Sequence, residues 1–171
     1  RLLSFLFKNE NNFKTKEFIY VVPENFDPIT KFLMKLNIYE KKERTLLKLM
    51  KNDTDIIEAG AGIGLISMYL KRKIKSNRLI MIEPNKKMNE IIKKNFLINN
   101  FHNSDIHILN YGLSDSEKKN VTFHKFESDM ANTISQDTLD YNLKIKEADQ
   151  IDTISIGKII EKYDIKKFQL V

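Results

Sequence analysis

The fold is decided by one stretch of sequence, Ile56-Ile57-Glu58-Ala59-Gly60-Ala61-Gly62-Ile63-Gly64. It contains a short apolar strand, an acidic residue and glycines at every second position, and it leads directly into a helix-like segment. A strand that turns into a helix through glycines brings backbone N–H groups and a helix N-terminus to one point. This arrangement is typical of a site that a nucleotide-like cofactor approaches closely.

A second acidic residue follows the next predicted strand. Arg78–Ile82 is apolar after its first residue and ends at Glu83. A carboxylate at this position can accept hydrogen bonds from both hydroxyls of a ribose. The sequence therefore predicts that Glu83 and the glycines share one crevice.

The glycine spacing distinguishes between cofactors. The dinucleotide fingerprint requires a third glycine where this chain has Leu65, whereas here the glycine falls one residue early, at Gly64. The pattern Glu-x-Gly-x-Gly-x-Gly resembles the cofactor loop of class I S-adenosylmethionine-dependent methyltransferases, which have no pyrophosphate to bind. The alternative is a structural turn whose glycines only relieve backbone strain.

Composition limits the function classes. The 171 residues suit one domain, and no apolar window is long enough to span a membrane. Of the 29 basic residues 25 are lysine, spread along the chain, so the net charge of +6 indicates a solvated lysine surface rather than a nucleic-acid site. The absence of cysteine excludes disulfides and thiolate metal sites and fits a reducing, cytoplasmic location.

The segments before the glycine loop predict a strand and two helices. The strand lies at Phe18–Val22, and the first helix starts at Pro28. The apolar face expected for that helix comprises Ile29, Phe32, Leu33 and Leu36. The second helix is expected at Glu40–Met50, with Leu46, Leu47 and Met50 facing inward.

The segments after the loop alternate helix and strand. The first three are a helix that begins at Leu65, a helix at Lys86–Asn99 and a buried strand at Asp105–Leu109. An added strand at Val121–Lys125 is expected to pair near Gln150–Ile156, and a mobile loop is expected at Glu127–Tyr141. The chain then has a helix with Ile156, Ile159, Ile160 and Tyr163 on one face, and a strand at Phe168–Val171. This order predicts an α/β fold with a doubly wound, mainly parallel Rossmann-like sheet in the order 3-2-1-4. Helices are expected on both faces of the sheet.

Several segments together resemble the FkbM-like branch of the class I methyltransferases. The segments are Tyr39-Glu40, Ile82-Glu83-Pro84-Asn85, Asn99-Asn100, Asn110–Asp115, Thr153–Ser155 with Ile159–Tyr163, and Phe168–Val171. The resemblance implies a methyltransferase domain over residues 39–171, preceded by a lead-in segment at residues 1–38.

The chain also departs from that family. It has Gly60-Ala61-Gly62 where the family has Gly-Ala-Asn, and Ile156-Gly157 where the family has Leu-Asp. The family's acidic motif Lys-Ile-Asp-x-Glu-Gly would follow Val171. We therefore expect a fragment without a C-terminal part of the domain. No catalytic residue is assigned, because the general base and the substrate side are expected beyond Val171.

The resemblance assigns roles to the loop. Gly60, Ala61 and Gly62 would let the backbone lie against the methionine part of the cofactor, and Gly64 would allow tight helix packing. Glu58 would bind the cofactor's ammonium group directly or through water. Its alternative role is to stabilise the dipole at the start of the following helix.

Further roles follow for the ends of the next two strands. Glu83 would accept the ribose hydroxyls, while Pro84 and Asn85 would flank the adenine. Tyr111 and Gly112 would close its other side, although core packing explains Tyr111 equally well.

Two further groups of residues lie before and after the loop. Tyr39 and Glu40 would line the pocket from the N-terminal side, or would simply start a helix. His102, His107 and His124 have no carboxylates at metal-ligand spacing, so no metal is expected.

The functional prediction is an S-adenosylmethionine-dependent methyltransferase. By resemblance the full protein would methylate a hydroxyl on a sugar or small metabolite. The alternatives are a nucleic-acid or protein methyltransferase on the same fold, and a non-catalytic binding or assembly module with a vestigial loop. A small-molecule substrate is expected, with neither nucleic acid nor membrane as partner. The exposed edge of the last strand predicts a homodimer through that edge, or an added element that covers it.

Overall fold

A computed structural model of the chain describes residues 11–24, 26–102, 104–126 and 145–171. The strands are β1 (Asn12–Lys14), β2 (Ile19–Val21), β3 (Asp55–Ala59), β4 (Leu79–Ile82), β5 (Ile106–Leu109), β6 (Gly112–Leu113), β7 (Val121–Phe126), β8 (Ile145–Ile151), β9 (Thr153–Ile154) and β10 (Phe168–Leu170). The helices are α1 (Pro28–Lys35), α2 (Lys41–Leu46), α3 (Leu65–Lys73), α4 (Lys86–Ile98) and α5 (Ile156–Tyr163), with a 3-10 turn at Leu47–Leu49 after α2.

A parallel sheet of four strands forms the centre, in the order β5-β4-β3-β10. Ile57 of β3 lies opposite Ile80 of β4 and Leu170 of β10. The two central strands are buried without alternation, except at Ala59, because helices cover both of their faces. This arrangement confirms the predicted α/β fold and the strand order 3-2-1-4.

The sheet separates two hydrophobic cores. The first lies with α3 and α4 and includes Met68, Leu70, Ile92 and Phe96 together with aromatic residues of the first hairpin. The second lies with α5 and comprises Ile57, Ile80, Ile82, Leu109, Ile154, Ile159 and Ile165. Alternate residues of β3 and β4 thus supply opposite cores, as the pleat of a strand requires.

The hairpin β1-β2 is attached to α4 by two asparagine side chains. Val21 N donates to Asn95 Oδ1 at 2.6 Å, and Ile19 N donates to Asn99 Oδ1 at 2.9 Å. Each amide nitrogen donates back to the carbonyl of the same strand residue. The side chains thus satisfy the free edge of β2, and residues before position 39 pack on the sheet domain. The division at residues 38 and 39 stays a prediction.

Most of the predicted elements are present. The added strand is β7, which pairs antiparallel with β8, and β6 pairs with β9 in a separate two-stranded sheet. The expected mobile loop at Glu127–Tyr141 and the apolar segment Arg1–Phe7 lie outside the described residues.

The helix faces predicted before the loop were partly wrong. Ile29 and Leu36 of the first helical segment are exposed, whereas Lys31 and Met34 are buried. A helix of two turns at the margin of the domain leaves apolar side chains in solvent at little cost.

The second predicted helix is shorter than expected. Glu40 has a left-handed backbone, and α2 starts only at Lys41. The helix ends at Leu46 and continues as a 3-10 turn from Leu47. Leu46 is exposed and Leu47 is buried. The inward face predicted for this helix was therefore wrong at Leu46 and confirmed at Leu47.

The last strand lies at an edge of the central sheet. In the part of the chain that the structure describes, β10 pairs with β3 alone. Association of two chains through this edge stays a prediction. Among the same residues, no helix has the length and apolar character needed to cross a membrane.

Candidate functional site

The glycine loop connects the end of β3 to the start of α3. Gly60, Gly62 and Gly64 have φ of 72°, 55° and 79°, which only glycine adopts without strain. A Cβ at Gly60 or Gly62 would have no atom of the described residues within 4 Å, whereas one at Gly64 would lie 3.3 Å from Phe96 Cε2. The first two glycines therefore present their backbone to open space, and the third packs α3 against α4.

Glu83 lies beside this loop, as the sequence predicted. One oxygen of its carboxylate accepts from Gly62 N at 2.9 Å and the other from Asn85 N at 2.8 Å. The side chain is buried, and burial raises the pKa of Glu83 despite these two donors. Each oxygen keeps a second lone pair with which it can accept a hydroxyl.

Glu58 lies at the end of β3, beneath the loop. It is 4% exposed and accepts a hydrogen bond from Ser67 Oγ of α3. Burial raises the pKa of Glu58 to about 8, and the carboxylates of Glu40 and Glu83 contribute in the same direction. Ser67 was not predicted, although its position within the first turn of the helix after the loop was a usable signal.

Tyr39 and Glu40 reach the loop from the N-terminal side. They line a cavity of about 80 Å³ with Glu58 and the loop residues Gly60 and Gly62. Other residues of its lining are Phe26, Ala61, Ile63, Leu65 and Ile66, of which Ala61 alone was a predicted site residue.

Pro84 and Asn85 follow Glu83 directly. The amide nitrogen of Asn110 donates to Glu83 O at 3.1 Å and to Pro84 O at 2.7 Å, which joins the ends of β4 and β5. Asn85 caps α4 by accepting from Lys87 N. The structure thus brings both predicted residues next to Glu83, and their contact with adenine stays a prediction.

Tyr111 and Gly112 lie elsewhere. Tyr111 packs against the second core, and Gly112 N donates to Asp152 O at 2.9 Å within the β6-β9 pairing. Neither residue lines the cavity at the loop. The packing role foreseen for Tyr111 therefore applies, and their binding roles stay untested predictions.

The residues present fit S-adenosylmethionine. Among the described residues, no atom lies within 4 Å of a Cβ added at Gly60 or Gly62, so the loop offers space beside its backbone. Two buried carboxylates at the ends of adjacent strands supply acceptors for hydroxyl and ammonium groups. Glu58, Gly60, Gly62 and Glu83 are the residues that would hold the cofactor.

A larger cavity lies apart from this loop. Its volume is about 600 Å³, and its lining includes Lys41, Arg44, Lys48 and Lys73 together with Tyr69. No loop glycine contributes to it. This cavity was not predicted, because its walls come from segments that are far apart in the chain.

The histidines form no site. The ring of His107 lies 4.8 Å from that of Tyr163, centroid to centroid, at the end of α5. No group of three or more histidine, aspartate or glutamate side chains suited to a metal ion occurs within residues 11–24, 26–102, 104–126 and 145–171.

Comparison with known proteins gives one family match. The model of the lysine methyltransferase family matches residues 29–130, which is more than half of the chain. Among proteins with curated descriptions none matches.

Solved structures are similar to parts of the chain. They include M. jannaschii TYW2 in complex with AdoMet (16% identity, TM-score 0.44, 59% of this chain and 43% of that one). They also include the M. jannaschii tRNA m1G37 methyltransferase (19% identity, TM-score 0.42, 63% of this chain and 33% of that one). A third is the methyltransferase FkbM from Methylobacillus flagellatus (17% identity, TM-score 0.35, 54% of this chain and 31% of that one). The chain spans less than half the length of each of these proteins.

The family match bears on the predictions made from the sequence. It confirms the enzyme class, an S-adenosylmethionine-dependent methyltransferase, and S-adenosylmethionine as its cofactor. It does not confirm the FkbM-like branch.

Proposed function

The chain belongs to the lysine methyltransferase family, and from this membership we propose that it forms the cofactor-binding part of an enzyme that methylates an amine. The single observation that carries the proposal is the open glycine backbone at Gly60 and Gly62 beside the Glu83 carboxylate.

The described residues would contribute binding and orientation. S-adenosylmethionine supplies an electrophilic methyl group on a positively charged sulfonium. Glu83 would accept the ribose hydroxyls in place of, or beside, its present donors Gly62 N and Asn85 N. Glu58, once ionised, would attract the positively charged amino-acid end. In general, holding the methyl donor in one orientation toward the acceptor lowers the activation barrier by several kcal/mol.

The charge of the crevice supports an amine acceptor. Glu40, Glu58 and Glu83 lie close enough for the first and third to raise the pKa of the second. An acidic crevice attracts a cationic lysine side chain and repels the phosphates of a nucleic acid. A nucleic-acid acceptor is accordingly not favoured.

A second candidate is methylation of a hydroxyl on a sugar or small metabolite. The segments that resemble the FkbM-like enzymes favour it, in particular Tyr39-Glu40 and Ile82–Asn85. The two candidates share the same cofactor half-site. Transfer of labelled methyl groups to polylysine or to a panel of sugars would distinguish them.

The cofactor half-site is tested by calorimetric titration of this chain with S-adenosylhomocysteine. We expect binding that falls at least about tenfold, or about 1.4 kcal/mol, in Glu83→Ala. The matched control is Glu90→Ala, which removes an exposed carboxylate of α4 paired only with Lys93. NAD should not bind. Failure of the wild-type chain to bind S-adenosylhomocysteine would contradict the proposal and favour the non-catalytic assembly module.

A further inference from the structure

We propose that Glu40 is a binding residue of the cofactor site and that its carboxylate binds the ammonium group at the amino-acid end of S-adenosylmethionine. The inference rests on the proposed function and adds a residue that lies outside the glycine loop and the strand ends. Four observations carry it: the backbone of Glu40, its unsatisfied side chain, the cavity that it lines and the charges around that cavity.

The backbone at Glu40 is held in an unusual conformation. Its φ of 50° lies in the left-handed region, which a glutamate adopts at a cost of about 1–3 kcal/mol. Arg44 fixes this conformation, because its guanidinium donates to Tyr39 O at 3.0 Å and to Asn37 O at 2.6 Å. Strain of this kind persists where the surrounding structure imposes it, and it occurs most often at functional sites.

One oxygen of the Glu40 carboxylate lacks a partner. This oxygen, Oε2, is buried and accepts no hydrogen bond from any residue that the structure describes. A buried, unsatisfied carboxylate oxygen is costly. Burial raises the pKa of Glu40 to about 6, while Arg44 and the Tyr39 hydroxyl act in the opposite direction. A bound cation would remove this cost.

The cavity next to Glu40 has the size of one small group. Its volume is about 80 Å³, whereas pockets for whole ligands of drug size measure about 300–1,000 Å³. Glu40 and Glu58 face it together with Gly60 and Gly62. It suits a compact amino-acid end and is too small for the adenosine.

The charges around the cavity select a cation. From the sheet, Glu83 after β4 contributes negative charge, and Glu58 at the end of β3 does so once it is ionised. On the helix of Glu40 itself, Glu43 raises its pKa and Arg44 lowers it. The guanidinium of Arg44 is occupied by backbone and side-chain acceptors of Asn37 and Tyr39. The cavity thus has carboxylates on two sides and attracts an ammonium group.

The test compares two ligands that differ in the amino-acid end. S-adenosylhomocysteine carries the ammonium group, and 5′-methylthioadenosine lacks the entire amino-acid part. We expect Glu40→Gln to weaken S-adenosylhomocysteine binding about tenfold and to change methylthioadenosine binding less than about twofold. Glu90→Gln, which removes an exposed charge on α4 away from the lining of this cavity, should change neither affinity.

A second variant separates binding from folding. Glu40→Gly removes the carboxylate but relieves the left-handed strain, so its Tm should be no lower than that of the wild-type chain. It should nevertheless lose S-adenosylhomocysteine affinity as Glu40→Gln does. This combination of unchanged stability and reduced affinity is not expected of a purely structural residue.

The outcomes are distinguishable. Equal weakening of both ligands, or no weakening of either, would overturn the role of Glu40 while leaving the cofactor site in place. A wild-type chain that binds methylthioadenosine as tightly as S-adenosylhomocysteine would also overturn it. Binding of neither ligand to the wild-type chain would refute the proposed function, and the role of Glu40 with it.

Discussion

Alanine substitutions at Gly64 and Gly62 test whether the loop glycines have different roles. Both residues have positive φ, so an alanine at either position costs about 1–2 kcal/mol in backbone strain. At Gly64 the new methyl group would also lie 3.3 Å from Phe96 and 3.4 Å from Ile92, in the core between α3 and α4. Overpacking of this kind costs about 1–3 kcal/mol more.

The two variants should therefore differ in unfolding free energy and in binding of S-adenosylhomocysteine. Gly64→Ala should lose about 2–5 kcal/mol of unfolding free energy and Gly62→Ala only about 1–2 kcal/mol. Because the added methyl group at Gly62 meets no atom of the described part of the chain within 4 Å, it occupies the space next to the loop and should abolish S-adenosylhomocysteine binding. Urea denaturation gives the first quantity, and calorimetry at a temperature where both variants are folded gives the second.

Two results would contradict these predictions. If Gly62→Ala is destabilised as much as Gly64→Ala, the space at Gly62 is filled by protein and the open cradle does not exist. If Gly62→Ala binds S-adenosylhomocysteine normally, the cofactor does not approach the loop backbone. The N–H of residue 62 that donates to Glu83 is retained in this variant, so loss of that hydrogen bond cannot account for either result.

Two further predictions concern buried polar groups. Since burial raises the pKa of Glu58 from 4.5 to about 8, the folded chain binds a proton more tightly than the unfolded one, and stability should fall as pH rises between these values. Urea denaturation at several pH values between about pH 5 and pH 8 gives the unfolding free energy as a function of pH. Its fall with rising pH should be shallower in Glu58→Gln, and an unchanged fall would contradict the raised pKa of Glu58. Asn95→Ala should cost about 2–4 kcal/mol, because it leaves Val21 N, Val21 O and Ile63 O without their side-chain partner. Hydrogen exchange at Val21 N should accelerate in this variant, and protection equal to that of the wild-type chain would show that the hairpin is held by other contacts.

Much of the sheet and of the loop was predictable from the sequence because their signals are local. The apolar runs Ile56–Ile57 and Leu79–Ile82 predict strands buried on both faces, and the intervening helix determines that the strands are parallel. The glycines at 60, 62 and 64 are recognisable because only glycine adopts their backbone conformation. Glu83 follows from the same reasoning, since the ends of adjacent parallel strands lie at one edge.

Other features depend on packing between segments that are distant in sequence. Periodicity identified an apolar side of the first helix, yet Lys31 and Met34 are buried and Ile29 is exposed, because a helix face is buried only where another element covers it. Tyr111 followed the third strand as expected, but the β6-β9 pairing carries it into the second core.

The sequence by itself thus determined the enzyme fold and the residues at the loop, because backbone conformation and strand order depend on neighbouring residues. The sequence left open whether Glu40 lines the pocket or only starts a helix. Only the tertiary structure decided that Glu40 lies against the loop with one carboxylate oxygen unpartnered. Its position depends on Arg44, which holds the backbone before α2, and the free energy of such contacts is set by burial and charge across the fold.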